Sequence, residues 1–348
     1  MKLFENLYKS IGIDLGTTNF LVYLKGRGIV VDEPTLVAIN NRTNQILAIG
    51  EEAKKMLDRT PAHVTLIKPL VNGVISDFEM TQEIIRHFLN KLGESNFLSR
   101  FRTAAVSIPT NLTEVERKSV EDAVISAGAS KVILVEEPIA AAIGARLSIE
   151  EPSANMIVNI GGGTSEISII SIGGAVISKS LKVAGQRLNE DIIRFIKNEY
   201  KLLIGEPTAE TLKISVGSAL PVEEKLELNV RGRDVASGLP KEVIVRNPQV
   251  RAAMQRSLKS IADSIKGILE DAPPELVGDV LEKGIYLSGG GSLLREMDEY
   301  LAKEVQVEVK IVEDPLTCVV RGLGIIIEDL PRHETILSNQ ERPKLVNL

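Results

Sequence analysis

The strongest constraint on the fold is a strand, turn and strand pattern that occurs twice. One copy spans residues 11–24 and the other spans residues 157–170. In each copy an apolar strand ends in a carboxylate or amide, continues into glycine and threonine, and is followed by a second apolar strand. One glycine turn alone is ordinary hairpin chemistry. Because the pattern is repeated, we expect a duplicated fold in which two similar hairpins face each other.

Both turns have the composition of a phosphate-binding loop. Glycine lacks a Cβ atom, so the backbone N–H groups of Gly16 and of residues 161–163 can approach phosphate oxygens closely. The short side chains of Asp14 and Asn159, which precede the turns, can hold the water shell of a Mg²⁺ ion. The paired turns therefore predict a site that grips one nucleotide from two sides.

A third motif lies at residues 284–292, where an apolar strand ends in Ser288 and three glycines, followed by a helical pattern of apolar residues. Such a strand, glycine turn and helix start can bring bare backbone against a flat ring or a phosphate. The three motifs together predict an adenine nucleotide site. The chain has neither a G-x-x-x-x-G-K-[ST] loop nor a kinase-type H-R-D segment.

Length and composition limit the class of protein. With 348 residues the chain can bury a large core and is longer than one typical domain, so we expect two domains or one two-lobed unit. A net charge of −6 gives no electrostatic footprint for nucleic acid, so none is expected as a partner. The single cysteine, Cys318, excludes an internal disulfide. No apolar run reaches the ~20 residues that span a bilayer, and no signal peptide opens the sequence, which predicts a cytoplasmic protein.

Strand-like and helical runs alternate along the chain, which is typical of α/β layers. A strand at residues 131–135 should deliver Glu137 to the foot of an alanine-rich helix that Pro138 begins. Thr113 and Glu116 have the spacing of a capping box. Other helices are predicted at residues 51–57, 80–92, 188–200 and 250–270, with a buried strand at residues 103–108.

The order of the three motifs resembles that of the actin, Hsp70 and sugar-kinase superfamily. Within it the chain is more closely similar to the MreB and Mbl family of bacterial actins. Short segments spread over roughly residues 8 to 330 carry this resemblance: DLGTTN at 14–19, GEEAK at 50–54, RTP at 59–61, GVISDF at 73–78, TEVER at 113–117, EEP at 136–138, YKLLIGE at 200–206, RGRD at 231–234, PPEL at 273–276 and EDP at 313–315.

The resemblance implies an actin-like α/β fold, in which a ribonuclease H-like unit is duplicated, with two lobes and four subdomains around a central nucleotide cleft. Lobe I would comprise residues 1–144 and 317–348, with a small subdomain inserted at about residues 33–103. Lobe II would comprise residues 145–316, with a small subdomain at about residues 186–249.

The resemblance also implies a cytoskeletal ATPase that binds ATP with Mg²⁺, releases ADP and phosphate, and polymerises into filaments, expected as paired protofilaments. Such filaments would lie on the inner face of the cytoplasmic membrane and work with the cell-wall elongation machinery to maintain a rod shape. Glu137 would orient the attacking water with help from Thr164, and Asp14 and Asn159 would bind Mg²⁺ through water. The expected nucleotide-binding residues are Asp14, Gly16, Thr17, Thr18, Asn19, Gly161, Gly162, Gly163, Thr164, Glu210, Lys213, Gly289, Gly290 and Gly291.

Plainer interpretations remain open at three kinds of position. Glu137 could complement the dipole of its helix. Glu210 and Lys213, three residues apart on one helical face, could form an exposed ion pair of little energy. Where the family carries aspartate this chain has Asn159, whose amide keeps an acceptor oxygen but lacks the charge. That change could weaken Mg²⁺ binding or water activation, or it could be neutral if the position only orders a water.

Two apolar segments predict membrane contact. Phe97, Leu98 and Phe101 lie among arginines where the family has a membrane-inserting loop. Leu3 and Phe4 lie on one side of a possible short amphipathic helix. The alternative is that these apolar side chains pack on the body of the protein.

Other ATPase classes of the superfamily fit less well. A chaperone would need a peptide-binding domain after the nucleotide lobes, for which the chain is too short. A small-molecule kinase would need a polar substrate pocket with its own general base, and no second set of residues suggests one. An actin-like ATPase with such a non-filament role is the alternative, and nucleotide-dependent sedimentation distinguishes it from a filament-forming protein.

Overall fold

A computed structural model describes residues 9–92 and 101–340. The strands in chain order are β1 Ser10–Leu15, β2 Asn19–Leu24, β3 Gly28–Pro34, β4 Val37–Asn40, β5 Gln45–Ile49, β6 Val64–Ile67, β7 Leu70–Val71, β8 Val74–Ile75, β9 Phe101–Ile108, β10 Ala129–Glu136, β11 Asn155–Ile160, β12 Ser165–Ser171, β13 Gly174–Leu181, β14 Leu202–Leu203, β15 Glu227–Asp234, β16 Pro240–Arg246, β17 Ile285–Ser288 and β18 Val309–Ile311.

The helices are α1 Glu51–Lys54, α2 Phe78–Leu92, α3 Glu114–Ser126, α4 Glu137–Gly144, α5 Gly185–Tyr200, α6 Glu206–Val216, α7 Asn247–Asp271, α8 Pro274–Lys283, α9 Met297–Val305, α10 Cys318–Glu328 and α11 Glu334–Gln340. A 3₁₀ turn spans Gly290–Leu293. Within these described ranges no helix is both long and apolar enough to cross a membrane.

Two five-stranded sheets have the same topology. Their strand orders are β10-β9-β1-β2-β3 and β13-β12-β11-β17-β18. In each sheet a hairpin, β1–β2 or β11–β12, continues into a third antiparallel strand. The first strand of each hairpin, β1 or β11, also pairs in parallel with a later strand, β9 or β17. That later strand pairs in parallel with the outermost strand, β10 or β18. The α/β duplication predicted from the two hairpins is therefore confirmed.

Helices α4 and α10 pack between the two large sheets. A Cβ atom at Gly144 would lie 1.9 Å from the carbonyl oxygen of Cys318, and one at Gly322 would lie 1.8 Å from that of Ala140. Glycine at both positions lets the two helix backbones touch. Side chains of both sheets share the core around this pair, and every residue of α4 after Glu137 is buried. The packing of α4 therefore fixes the backbone position of Glu137.

Two three-stranded sheets are inserted into this duplicated frame. The sheet β5-β4-β6 lies between β3 and α2 in the chain, and the sheet β14-β15-β16 lies between α5 and α7. Both fall inside the segments proposed as small subdomains, although the exact boundaries of those segments stay predictions.

The local predictions agree with most elements and differ at a few ends. The capping box is confirmed, because Thr113 Oγ1 accepts from Glu116 N while the Glu116 carboxylate accepts from Thr113 N. Helix α1 ends at Lys54, three residues earlier than expected. After the third motif the helix starts only at Met297, because Glu296 has a left-handed φ of 59° and separates it from the 3₁₀ turn.

One predicted membrane residue is wrong. The Phe101 side chain is 7% exposed and belongs to the hydrophobic core of the first sheet. As the first residue of β9 it points into the protein, so it cannot insert into lipid. Phe97, Leu98, Leu3 and Phe4 lie outside the described residues.

Candidate functional site

The first hairpin turns between β1 and β2 at residues 16–18. Gly16 is required there, because a Cβ atom would lie 2.6 Å from the carbonyl oxygen of Asn19. Thr35 Oγ1 donates to the Gly16 carbonyl at 2.7 Å, and Gly73 N donates to Thr17 Oγ1 at 2.9 Å. Contacts from two separate parts of the chain therefore hold the shape of this turn.

The second hairpin turns between β11 and β12. The turn is closed by a hydrogen bond from Gly161 N to the Thr164 carbonyl at 2.9 Å. The first residues of α5 are attached to it, since Gly185 N donates to the Gly161 carbonyl at 3.1 Å and Gln186 N to the Gly162 carbonyl at 2.8 Å. This turn and the start of α5 therefore form one unit.

The two turns contact each other across the cleft. A Cβ atom at Gly162 would lie 1.8 Å from Thr18 Oγ1, and one at Gly163 would lie 2.7 Å from Thr17 Oγ1. A side chain larger than hydrogen at either glycine would require the first hairpin to move. The structure thus brings together the two motifs that the sequence places about 145 residues apart.

Three carboxylates lie beneath the paired turns, those of Asp14, Glu137 and Glu166. Burial raises the pKa of Asp14 to about 6; a hydrogen bond from Ser107 Oγ to Asp14 Oδ1 at 2.8 Å works against this shift, and the charge of Asp32 adds to it. The pKa of Glu137 is raised well above its ordinary value by desolvation and then by the charges of Glu166 and Asp14. The Glu137 side chain nevertheless keeps part of its surface accessible.

These buried carboxylates would be stabilised by a cation that binds together with phosphates. Crowded carboxylates in a desolvated site repel one another, so a positive charge nearby favours their ionised forms. Asp14 and Asn159 are the side chains that would hold the waters of a Mg²⁺ ion, which would supply charge neutralisation at the phosphates. Among the residues that the structure describes, no three His, Cys, Asp or Glu side chains are grouped closely enough to bind a metal directly.

Asn159 has a role that its sequence position did not reveal. Its side chain is 4% exposed, Nδ2 donates to Glu137 Oε2 at 3.2 Å, and Oδ1 accepts from Ser288 Oγ at 3.2 Å. The hydrogen bond to Glu137 opposes the rise of that carboxyl's pKa. An ionised carboxylate in place of the amide could not donate to Glu137. Asn159 therefore links the water-orienting candidate to the strand of the third motif.

Glu166 is absent from the residues predicted by sequence. It lies in β12, is 0% exposed, and accepts from Thr110 N at 3.2 Å, Thr110 Oγ1 at 2.9 Å and Ser180 Oγ at 2.5 Å. Burial raises the pKa of Glu166, while hydrogen bonds from Ser180, Thr110 and Thr164 lower it. A charged residue within an otherwise buried strand was the available signal, because such residues are almost never buried without partners.

Glu210 and Lys213 form an ion pair on α6 that faces the second hairpin. Lys213 Nζ donates to Glu210 Oε2 at 2.7 Å and to the Gly185 carbonyl at 3.1 Å, and Asn189 Nδ2 donates to the same Glu210 oxygen at 2.6 Å. The Lys213 side chain is only 13% exposed. The pair is therefore part of a network that joins α5 and α6, which the exposed-pair interpretation did not predict.

The glycines of the third motif divide into two groups. A Cβ atom at Gly289 would lie 2.4 Å from the Ile160 carbonyl oxygen, and one at Gly291 would lie 2.2 Å from Ile160 Cγ2. These two glycines are explained by packing against the end of β11. Gly290 is exposed, so it is the member of the motif whose backbone is open to a ligand.

Segments next to the two small sheets also contact each other. Lys68 Nζ contacts both carboxylate oxygens of Glu206 at 2.8 and 2.6 Å. A Cβ atom at the neighbouring Gly205 would lie 2.0 Å from Asp58 Oδ2. Since the two paired side chains are about one third exposed, this ion pair contributes little energy alone. Together with the touching hairpins, these contacts describe a closed cleft.

Two sheets of identical topology, joined by α4 and α10 and closed over paired glycine hairpins, define the actin-like fold. The sequence model of the MreB/Mbl protein family matches residues 8–335, and the chain belongs to this family of bacterial actins.

Similar proteins support the assignment along nearly the whole chain. The cell shape-determining protein Mbl of Bacillus subtilis (strain 168) is 44% identical over 324 residues, which cover 93% of this chain and 97% of that protein. The cell shape-determining protein MreB of Escherichia coli (strain K12) is 41% identical over 346 residues, which cover 98% of this chain and 100% of that protein.

Solved structures agree with the fold. MreB5 of Spiroplasma citri bound to AMPPNP has a TM-score of 0.90 at 37% identity, covering 94% of this chain and 98% of that one. A MamK double helical filament has a TM-score of 0.78 at 22% identity, covering 93% of this chain and 100% of that one, which shows the shared fold alone.

Proposed function

We propose that this protein is a cytoskeletal ATPase that binds ATP with Mg²⁺, hydrolyses it to ADP and phosphate, and polymerises. The observation that carries the proposal is the contact between the two glycine hairpins above the carboxylates of Asp14 and Glu137. Crystal structures of MreB5 of Spiroplasma citri bound to AMPPNP and to ADP support the proposal that this chain binds an adenine nucleotide.

The backbone of the two turns, at residues 16–19 and 161–164, would bind the phosphates, with the hydroxyls of Thr17 and Thr18 beside them. The Glu210 and Lys213 network and the exposed backbone of Gly290 would take the nucleoside. Phosphoryl transfer depends mainly on positioning and charge neutralisation. The fixed backbone of the two turns supplies the positioning, and the Mg²⁺ ion would supply the charge neutralisation.

Glu137 would accept a hydrogen bond from the attacking water, and the Thr164 hydroxyl would help to hold that water. The water oxygen bonds to the γ-phosphorus, the bond to the bridging oxygen breaks, ADP leaves, and the proton lost by the water passes to Glu137 and from there to the product phosphate or solvent. Glu137 performs this role only when ionised, so its raised pKa predicts activity that falls as pH falls through that pKa.

Filament formation is tested by sedimentation of the purified protein with ATP and without nucleotide. We expect ATP to move the protein into the pellet above a critical concentration. Phosphate release without any pelleting over a wide concentration range would favour the alternative, a non-filament ATPase or small-molecule kinase. We propose self-association as paired protofilaments, and the MamK double helical filament is a fold relative that assembles in that form.

A cellular role follows from the named functions of the relatives. Because Mbl and MreB relatives are cell shape-determining proteins, we propose that the filament maintains rod shape through the cell-wall elongation machinery. We place it in the cytoplasm, on the inner face of the cell membrane.

A basic edge of the first sheet supports membrane association. Strands β1, β9 and β10 all begin at this edge, and the β2–β3 turn lies there as well. Lys9 and Phe101, the described residues that directly follow residues 1–8 and 93–100, lie at the same edge. Its basic residues that form no ion pair with any described residue, and whose side chains donate to no described carbonyl, are Lys9, Arg27, Arg102 and Lys131. Lys25 Nζ at this edge donates to the carbonyls of Ile327 and Glu328. Each such residue near an anionic surface is worth about 1 kcal/mol.

Asn159→Asp should raise Mg²⁺-dependent phosphate release, because an added negative charge holds the waters of the metal more strongly. We expect the Mg²⁺ concentration for half-maximal rate to fall by about tenfold. A second carboxylate beside Glu137 also raises the pKa of Glu137, so the acid limb of the rate profile should move to higher pH. Mg²⁺ titrations at pH 7 and at pH 8.5 measure both effects. A variant that is no faster at any Mg²⁺ concentration would mean that the amide does not limit turnover.

Gly162→Ala should hold the two hairpins apart, since its new Cβ would overlap Thr18 Oγ1. Overpacking costs about 1–3 kcal/mol, which corresponds to roughly fivefold or more in nucleotide affinity. Gly174→Ala is the matched control, because nothing lies within 4 Å of a Cβ there. Equal affinities of the two variants for a fluorescent ATP analogue would show that hairpin contact is not part of the binding site.

A further inference from the structure

Glu166 connects the two lobes at the floor of the cleft. Two of its hydrogen-bond donors lie in lobe II: the hydroxyl of Ser180 on β13, and the hydroxyl of Thr164 in the turn directly before β12. The other two, the N–H and hydroxyl of Thr110, follow the end of β9 in the opposite sheet. One carboxylate thus contacts both lobes.

Thr110 lies at a fixed point of lobe I. The neighbouring Pro109 packs against Gly73, where a Cβ atom would lie 2.6 Å from Pro109 Cγ, and Gly73 N holds the Thr17 side chain of the first hairpin. Ser107 of the same strand donates to Asp14. The contact between Glu166 and Thr110 therefore depends on the position of the first hairpin and Asp14 in lobe I relative to lobe II.

We propose that Glu166 is a positioning residue that orients the Thr164 hydroxyl through its contact with Thr110, so that hydrolysis is coupled to closure of the cleft. The proposal rests on the proposed ATPase function, in which Thr164 helps to hold the attacking water. When the lobes separate at this point, Glu166 loses both donors from lobe I, and its charge must be solvated in another way. The same contact therefore favours the closed cleft and slows release of nucleotide.

The test uses Thr110→Val in the full chain, which removes the hydroxyl but keeps the size of the side chain and the N–H donor. Loss of one hydrogen bond to a charged group changes a rate constant by about tenfold. We expect kcat for phosphate release at saturating ATP to fall by about that factor, because the contact acts on the reacting geometry. Release of fluorescently labelled ADP should accelerate by a similar factor.

Three further variants make the result specific. Thr110→Ser keeps the hydroxyl and should restore both rates. Thr81→Val removes another buried hydroxyl, which lies on α2 and donates to the carbonyl of Asp77 just before that helix, and it should change neither rate. Glu166→Gln combined with Thr110→Val should lose no more than the larger single loss, because the two residues act through one contact.

Several outcomes would overturn the proposal. They are parental rates in Thr110→Val, equal losses in Thr110→Val and Thr81→Val, and losses that multiply in the double variant. A parent protein that binds nucleotide but hydrolyses none would instead refute the proposed ATPase and the coupling with it, whereas a parent that hydrolyses ATP with an unaffected Thr110→Val refutes the coupling alone.

Discussion

Glu137→Ala should lower phosphate release at saturating ATP by about tenfold or more, the effect of removing a positioned base, while ATP binding survives. The residue begins α4, whose backbone contacts with α10 give it a fixed position. Its carboxylate has an amide donor from Asn159 and faces the charges of Asp14 and Glu166. A group that only complements the helix dipole would contribute about 0.3–1 kcal/mol of stability and nothing to turnover.

Glu275→Ala is the matched control for that plainer interpretation. Glu275 lies in the first turn of α8, another helix with proline at its start, and its side chain is exposed. Its loss should leave phosphate release unchanged. The acid limb caused by the raised pKa of Glu137 should be absent from the residual activity of Glu137→Ala, although the pKa of about 6 at Asp14 still affects the site. Parental phosphate release in Glu137→Ala at saturating ATP would refute the assignment.

The sequence predicts the parts of the site that depend on local chemistry. Gly16 and Gly162 are predicted because a turn that binds phosphate needs backbone without a Cβ. In the structure a Cβ at Gly16 would lie against the Asn19 carbonyl and one at Gly162 against Thr18, so packing alone also favours glycine there. The capping box of α3 is equally local, since both partners lie within one turn of helix. The repeat of the hairpin predicts the duplicated sheet order, because identical units bury the same faces.

Contacts between distant segments could not be predicted in this way. Glu166 and Thr110 are 56 residues apart, and Lys68 and Glu206 are 138 residues apart. Neither pair has a motif of its own, and only the closed arrangement of lobes brings the partners together. Glu166 could have been suspected from a charge in an apolar strand, but its partner could not be named.

Asn159 and Phe101 show two different limits of sequence reasoning. From the sequence, Asn159 differs from the family's aspartate by the charge it lacks, whereas the structure shows the donor that it gains, directed at Glu137. Phe101 shares an apolar, arginine-flanked segment with Phe97 and Leu98, but strand β9 begins at Phe101 and turns its side chain into the core. The position at which strand β9 begins, within a few residues, therefore decides whether a side chain of this segment lies in the protein interior or is available to a membrane.

Phe97→Ser combined with Leu98→Ser should release filaments from anionic liposomes in a flotation assay. Burial of each apolar side chain in lipid is worth roughly 1.5–3 kcal/mol, and the basic edge adds about 1 kcal/mol per residue at the surface. A single subunit should therefore bind weakly and reversibly. A rigid filament presents many such anchors together, and avidity can exceed the affinity of one site by about 10² or more.

The flotation result needs a variant with the same change elsewhere. Ile172→Ser combined with Val176→Ser also replaces two exposed apolar side chains, on β13 and its preceding turn in lobe II, and should float like the parent. Light scattering in lipid-free solution should report assembly of all three proteins, which separates loss of anchoring from loss of polymerisation. If the Phe97 and Leu98 variant floats as well as the parent, these residues are not the anchor, and the segment with Leu3 and Phe4 becomes the candidate.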